Sequence, residues 1–296
     1  MSITAAQVKG LRDRTGVSMM GCKKALEESG GDEEKAIEIL RKKGEAKAAT
    51  KAGRETSEGL VVTKTEGGKA VIVCQYCETD FVAKNDNFVN LVNKIGDALL
   101  ASNAMCEECA LDVLVDGKPL KEFLLGESSM IGEKLSFRRF EVVAKEDNQE
   151  FGLYMHMGGK ISSLTVLNDS DFETAKDVAM HVAAQNPRFL SKEDISEEEL
   201  KHETEILTNT ALNENAEAAK PKPEAIIQKM VVGRLNKNLK AICLLNQEFV
   251  KNPDLSVEQY VKSKGASIVS FKRLAVGEGI EKKVDNFVEE VMNQSR

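Results

Sequence analysis

The cysteines are the first group of side chains in this chain that could perform chemistry. Four of the six form two CxxC pairs, Cys74/Cys77 and Cys106/Cys109. That spacing can supply two thiolates to a zinc ion or form a redox-active dithiol. The first pair lies on a predicted strand, where residues three apart point to opposite faces, so both sulfurs reach one metal only if the strand ends or bulges there. We therefore expect buried or half-buried free thiols, with a zinc or redox site as the alternative.

The histidines and glycines indicate no catalytic site. His156, His181 and His202 are far apart and lie in no metal-binding spacing such as HExxH. The Gly-Gly-Lys runs at 67–69 and 158–160 lie between alternating strands rather than before a helix, so they predict hairpin turns and not phosphate-binding loops. The sequence also shows no motif that pairs a nucleophile with a base, and no motif that pairs two catalytic carboxylates. The pattern favours a binding protein without metal or cofactor over an enzyme.

A third candidate is the corner Thr79–Asn85, with the sequence TDFVAKN, where a run of β-branched residues gives way to a helical pattern. It places Phe81 next to the carboxylate of Asp80. Phe81 is either a protruding side chain that contacts a partner or an anchor of the core. The core alternative is supported by Phe88, seven residues later, which would share one helix face with Phe81 if Asp80 were the N-cap of a single long helix.

The composition limits the classes of function. The chain of 296 residues is 42% hydrophobic and 30% charged, with a net charge of −7. Twelve basic against nine acidic residues give residues 1–56 a charge of +3, whereas the remainder carries −10, which disfavours nucleic acid as the main ligand. No apolar run approaches the roughly 18 residues of a membrane helix, and the N-terminus lacks the layout of a signal peptide. A cytoplasmic protein without a membrane segment is expected.

The N-terminal residues predict a small bundle of three short helices. Apolar residues recur on one side of each helical segment, and Gly44 is expected to end the third helix. The Ala- and Lys-rich segment 45–54 has no large apolar residue, which indicates a linker. The candidate N-caps of the three helices are Thr4, Ser18 and Asp32.

A short internal repeat organises the rest of the chain. Asp171-Phe172 follows Lys160 by 11 residues, just as Asp80-Phe81 follows Lys69, and both pairs lead into a helical pattern. We interpret this as two copies of a hairpin–helix–strand unit, each an antiparallel sheet covered by helices, in a fold of the α+β class.

Two helical additions complete the predicted organisation. Residues 191–235 contain two thinly apolar helices joined at Lys220–Pro223, an antiparallel hairpin that projects as an arm and either packs within its own chain or meets another arm. Asp285–Gln294 is predicted as an amphipathic helix that packs on its own chain or reaches a partner. The predicted divisions are, in order, 1–44 (three-helix bundle), 45–56 (linker), 57–145 (first sheet unit), 146–190 with 236–277 (second sheet unit), 191–235 (arm) and 278–296 (C-terminal helical module).

Several segments, in order along nearly the whole chain, resemble the bacterial elongation factor Ts family. The segments that carry the resemblance are Leu11–Gly16, Met19-Met20 with Cys22–Leu26, Lys47–Ala49, Thr79–Asn85, Ala179–Ala184 and Gly277–Glu281. The resemblance implies a guanine nucleotide exchange factor for elongation factor Tu that is not itself an enzyme and holds no cofactor. It also implies that the N-terminal bundle is ubiquitin-associated-like and docks on the GTPase, and that the arm mediates homodimerisation.

The resemblance also implies roles for individual residues. Thr79, Asp80, Phe81 and Val82 would disturb the Mg²⁺ site of the GTPase, with Phe81 pointing outward. Because Phe172 of the repeat lacks the rest of the TDFVAKN motif, we expect it to point inward. The implied partner-binding residues are Arg12, Met19, Met20, Lys23, Ile131, Gly132, Tyr154, His156 and Ile242.

Alternatives to several of these assignments stay open. Met19 and Met20 cannot both face one stripe of a helix, so at least one is expected at the surface, although core filling is the alternative. His156 could be an edge-strand residue without a role. Two rival functions also stay open: a zinc or thiol protein, and an adaptor built on the N-terminal bundle.

Overall fold

The computed structural model describes residues 3–15, 17–51, 53–217 and 222–280 and shows an α+β fold of helices and antiparallel sheets. Within these residues, no helix combines the length and apolar character needed to span a bilayer. The predicted helix Asp285–Gln294 lies outside the described residues. The described residues divide into two compact units, one within Met1–Val62, Val73–Phe140 and Leu274–Arg296, the other within Thr63–Ile72 and Glu141–Arg273.

The first unit begins with three helices, α1 (Ala5–Thr15), α2 (Met19–Glu28) and α3 (Glu33–Lys51). All three predicted caps are confirmed, because the side chains of Thr4, Ser18 and Asp32 each accept a hydrogen bond from a backbone N–H three residues later. The helices bury a shared apolar cluster made of Val8, Leu11, Cys22, Ala25, Leu26 and Ala36.

The prediction that Gly44 ends the third helix is wrong, because α3 continues through the first half of the expected linker to Lys51. A glycine inside a helix costs only about 1 kcal/mol relative to alanine, so tertiary contacts can override it. One such contact is made by the buried Lys51, whose ammonium group donates to the backbone oxygen of Ser128 at 2.9 Å. This bond ties the end of α3 to a later helix of the same unit.

A three-stranded sheet is formed by β1 (Glu58–Glu66), β2 (Lys69–Cys77) and β5 (Ser136–Ala144), in the order β1-β2-β5. The regular apolar spacing of Phe88, Leu91, Val92, Ile95 and Leu99 predicts a helix over 86–101, and this prediction is confirmed with those bounds. Between β2 and β5 the chain forms α4 (Asp80–Ala83), α5 (Asp86–Ala101), α6 (Glu107–Leu111), the short strands β3 (Leu114–Val115) and β4 (Lys118–Pro119), and α7 (Leu120–Ile131).

The two CxxC pairs differ in burial and in covalent state. Cys74 and Cys77 are buried thiols on β2, as predicted. Cys106 and Cys109 are exposed and joined by a disulfide, so the prediction of free thiols is wrong for them. The reason is local: Cys106 caps α6, and the turn of that helix brings the two Cα atoms to 5.2 Å, whereas a strand separates residues three apart. The described residues contain no group of three or more His, Cys, Asp or Glu side chains placed to hold a metal.

The second unit contains β6 (Gln149–His156), β7 (Ile161–Asn168) and most of β10 (Ser267–Ala275), which form a three-stranded sheet in the order β10-β7-β6. Strands β6 and β7 pair antiparallel along their whole length. Helix α8 (Phe172–Gln185) packs on both strands. Its apolar side joins a core that includes Leu167, Phe249 and Val257.

Helix α8 lies directly against its sheet. The hydroxyls of Thr165 and Ser163 on β7 donate to the backbone oxygens of Ala175 (2.9 Å) and Ala179 (2.6 Å) on the helix. A Cβ atom added to Gly152 of β6 would lie 2.0 Å from the Ala175 oxygen, so glycine is required there. Small side chains therefore face the sheet at this end of α8, and they leave no space for an aromatic ring.

The prediction that Phe172 points inward is wrong for this reason. Phe172 is 49% exposed, and the ammonium group of Lys176 lies 5.9 Å from the centre of its ring. The cap of α8 is Asp171, whose carboxylate accepts from the backbone N–H of Thr174 at 2.7 Å. Phe172 is therefore the first residue of a long helix rather than part of the core.

The arm consists of α9 (Glu197–Ala216) and α10 (Glu224–Ile242), which pack against each other. Helix α10 runs seven residues beyond the predicted end of the arm at 235. A narrow apolar seam of Ala211, Ile227 and Val231 joins the helices. The chain then forms β8 (Glu248–Phe249), β9 (Asn252–Ser256) and α11 (Val257–Ser263), which begins with a capping box made by Ser256 and Gln259.

Candidate functional site

The corner Thr79–Asn85 begins two residues after β2 ends at Cys77. Thr79 is the N-cap of α4, and its hydroxyl accepts from the backbone N–H of Val82 at 3.3 Å. The alternative that Asp80 is the cap is wrong: Asp80 is the first helical residue, and its carboxylate pairs with the Lys84 ammonium at 2.7 Å. This ion pair raises the pKa of Lys84. The corner therefore presents a separate four-residue helix.

Phe81 points out of this corner and is 82% exposed, as predicted. The alternative of one long helix through Phe81 and Phe88 is wrong, because the chain breaks at Asn85. The side chain of Asn85 caps α5 by accepting from the backbone N–H of Asn87 at 2.9 Å. Phe88 is a residue of α5 and is fully buried, so it belongs to the core, whereas Phe81 does not.

Sequence reasoning missed the residue that holds the corner from behind. One carboxylate oxygen of Glu133 accepts from the backbone N–H groups of Glu78 (3.0 Å) and Thr79 (3.1 Å), and the other accepts from the Thr79 hydroxyl (2.6 Å). In return, the Glu78 carboxylate accepts from the backbone N–H of Lys134 at 2.5 Å. No local pattern indicates these bonds, since the partners are more than 50 positions apart in the sequence.

A groove of about 790 Å³ lies beside the corner, lined by residues of α5 and α7 together with Val82 and Asn85. The structure brings Val82 to the same groove as the half-buried Ile131, the last residue of α7. Burial raises the pKa of the Glu127 carboxyl on the groove wall. Gly132 follows Ile131 with φ at 89°, a left-handed conformation that ends the helix and favours glycine.

The predicted docking residues of the N-terminal bundle are all exposed. Met19 and Met20, at 40% and 63% exposure, begin α2, and Lys23 lies one turn later, so core filling is wrong for both methionines. Arg12 lies on α1. The inward side of α2 is occupied by the bundle's core cluster, and these side chains lie on the exposed side.

The remaining predicted residues lie in the second unit. Tyr154 and His156 share one face of β6, the edge strand, with ring centres 6.0 Å apart, and both are half-buried. Ile242, the last residue of α10, packs with Leu239 and Cys243, so core packing accounts for its burial.

His181, by contrast, is fully buried. Its Nδ1 accepts from the backbone N–H of Val250 at 3.2 Å, which leaves Nε2–H to donate to Gln247 at 2.9 Å. Burial lowers its pKa, so His181 is neutral and structural.

The corner is also where the similarity to a known family begins. A family model described as Elongation factor TS matches residues 78–278, a range that starts beside the Thr79 cap and ends just after β10. This match covers more than half of the chain and contains the exposed Phe81, the groove and the edge strand with His156. The chain therefore belongs to the elongation factor Ts family and has a role in the elongation stage of protein biosynthesis.

Proposed function

We propose that this chain is a guanine nucleotide exchange factor that binds elongation factor Tu, promotes release of GDP and stabilises the nucleotide-free form until GTP binds. The observation that carries the proposal is the 82% exposure of Phe81 on a braced corner. An aromatic side chain of this size is ordinarily buried, and its exposure at a fixed place is typical of a contact with a partner.

The proposed mechanism is differential binding. An exchange factor must bind the empty GTPase more tightly than the loaded one, and by linkage the nucleotide then weakens binding of the factor by the same ratio. Burying a phenylalanine contributes about 1.5–3 kcal/mol, a ratio of roughly 10 to 150 if its pocket opens only when the Mg²⁺ site is disturbed. Thr79, Asp80 and Val82 flank Phe81 in that contact. The factor itself catalyses no covalent step and needs no cofactor.

The other surfaces are assigned to docking. The N-terminal bundle, which we take as ubiquitin-associated-like, would dock on the GTPase through Arg12, Met19, Met20 and Lys23. Tyr154 and His156 would contact the region near the phosphate-binding loop, and Ile131, Gly132 and Ile242 would make further contacts. Nucleic acid is no part of this proposal, and the proposed place of action is the cytoplasm.

The finer architecture is also part of the proposal. We take the two sheets as copies of one unit, since in each the second strand of the hairpin is central and the returning strand pairs beside it. We take the arm as a homodimerisation element. This role is supported by large apolar side chains that the arm leaves exposed: Ile206, Leu212, Ile226 and Val232.

The test is release of fluorescent GDP from purified elongation factor Tu. A sub-stoichiometric amount of the chain should accelerate release in the presence of excess unlabelled nucleotide, and GTP should reverse formation of the complex. If GDP release stays at the unassisted rate at every concentration of the chain tested, the proposed function is refuted.

A further inference from the structure

The carboxylate of Glu133 is the centre of a small hydrogen-bond network behind the corner. It accepts three bonds, all from the two residues that directly precede Asp80: the N–H groups of Glu78 and Thr79 and the Thr79 hydroxyl. Bonds to an ionised carboxylate are about twice as strong as those between neutral groups. They fix both the backbone at Thr79 and the rotamer of its side chain.

The Thr79 hydroxyl has two partners, and this links Glu133 to the helix that carries Phe81. It donates to Glu133 at 2.6 Å and accepts from the Val82 N–H at 3.3 Å. Because a hydroxyl has a single proton, donation to Glu133 orients a lone pair toward the end of the helix. A helix of four residues is too short to be stable by itself, so α4 depends on this cap.

Glu133 is in turn fixed by α7. Gly132 reverses the chain in its left-handed conformation, and the Ser128 hydroxyl donates to the Glu133 backbone oxygen at 2.5 Å. The bond from the Lys134 N–H to the Glu78 carboxylate closes the network from the other side. The segments Glu78-Thr79 and Glu133-Lys134 are therefore hydrogen-bonded to each other at successive residues, and these bonds hold α4 in one orientation.

We propose that Glu133 is a positioning residue for nucleotide exchange: acting through Thr79, it holds Phe81 in the orientation in which it meets the GTPase. This inference rests on the proposed function. Preorganisation of a contact residue reduces the entropy lost on binding, which is how a residue that never touches the partner affects exchange. The alternative is that the hydrogen bonds of Glu133 only stabilise the fold.

The experiment compares full-length Glu133→Ala, Thr79→Val and Thr79→Ser with the wild type, and uses Glu107→Gln as the control, since Glu107 is an exposed carboxylate on α6. Amide hydrogen exchange measured by NMR should accelerate about tenfold or more at Glu78 and Thr79 in Glu133→Ala, as expected for loss of bonds to a charged group. The amides in the centre of β2 should be unchanged.

Exchange kinetics then separate positioning from stability. Glu133→Ala and Thr79→Val should each lower the maximum GDP-release rate by about tenfold, and the double variant should be no slower than the slower single variant, because one network is broken. Thr79→Ser should retain most of the rate, since it keeps the hydroxyl. The melting temperature should be within a few degrees of the wild type for every variant used.

The outcomes distinguish the two proposals. If the wild type does not stimulate release, the exchange function fails, and the amide-exchange result alone decides whether Glu133 positions the corner. Wild-type release by Glu133→Ala, or additive losses in the double variant, would overturn the positioning role. If Glu133→Ala does not fold, Glu133→Gln, which keeps one acceptor oxygen, takes its place; an intermediate rate supports the proposal, and a wild-type rate overturns it.

Discussion

Replacing Phe81 by alanine is the most direct perturbation of the proposed mechanism. The side chain is 82% exposed, so its removal should change the free energy of unfolding by less than about 0.5 kcal/mol. In the complex with the nucleotide-free GTPase, the same ring is proposed to be buried. The variant should therefore lose up to the full burial energy of about 1.5–3 kcal/mol at the step where GDP leaves.

The expected result is a decrease of about tenfold or more in the GDP-release rate at saturating Phe81→Ala. The rate is measured by stopped-flow fluorescence with labelled GDP on elongation factor Tu. The chain supplies a matched control in Phe172, which occupies the corresponding Asp-Phe corner of the second sheet and is also exposed. Phe172→Ala should release GDP at the wild-type rate.

Two results would contradict this reasoning. A wild-type rate for Phe81→Ala would show that the exposed ring does not drive exchange. An equal loss in Phe172→Ala would show that the assay reports on a general property of the exposed rings rather than on the corner. Equal melting temperatures for the two variants exclude loss of fold as the cause.

Three further predictions concern stability and covalent state. Gly152→Ala should destabilise the protein by about 1–3 kcal/mol in urea denaturation, because its Cβ would clash with a backbone oxygen of α8, whereas Gly126→Ala, which meets nothing within 4 Å in α7, should be neutral or stabilising. Because burial lowers the pKa of His181, the unfolded chain binds its proton at a higher pH than the folded chain does. The free energy of unfolding should therefore fall as the pH drops below about 6.5, and His181→Asn should flatten that dependence. Alkylation under denaturing conditions should label four cysteines before reduction and six after it, since Cys106 and Cys109 are paired; six labels before reduction would contradict the disulfide.

Local signals in the sequence were sufficient for much of the fold. The bounds of α5 follow from a regular apolar spacing, and the caps at Thr4, Ser18 and Asp32 follow from residue type alone. Each of these features is decided by interactions within a few positions of the chain. The exposure of Phe81 was predicted from the motif that surrounds it rather than from periodicity, which favoured the core.

The failures share a different origin. Helix α3 passes Gly44 and continues to Lys51, which bonds to Ser128, a residue 77 positions away. The hydrogen bond from the Thr79 N–H to the Glu133 carboxylate joins residues that are 54 positions apart. Contacts at this range depend on how elements pack, and a single sequence contains no periodic trace of them.

The comparison of the two Asp-Phe corners shows what distinguishes the proposed contact site. Exposure alone does not, because Phe172 is exposed as well. In the second corner Asp171 is the cap, so its phenylalanine opens a 14-residue helix that is fixed along its length by the sheet beneath it. In the first corner the cap is Thr79, and the phenylalanine stands on a separate four-residue helix whose orientation depends on Glu133. A short helix fixed by hydrogen bonds on its inner side can present an aromatic ring to a partner without being part of the core beneath the sheet. This is why we propose the first Asp-Phe corner, and not the second, as the contact for nucleotide exchange.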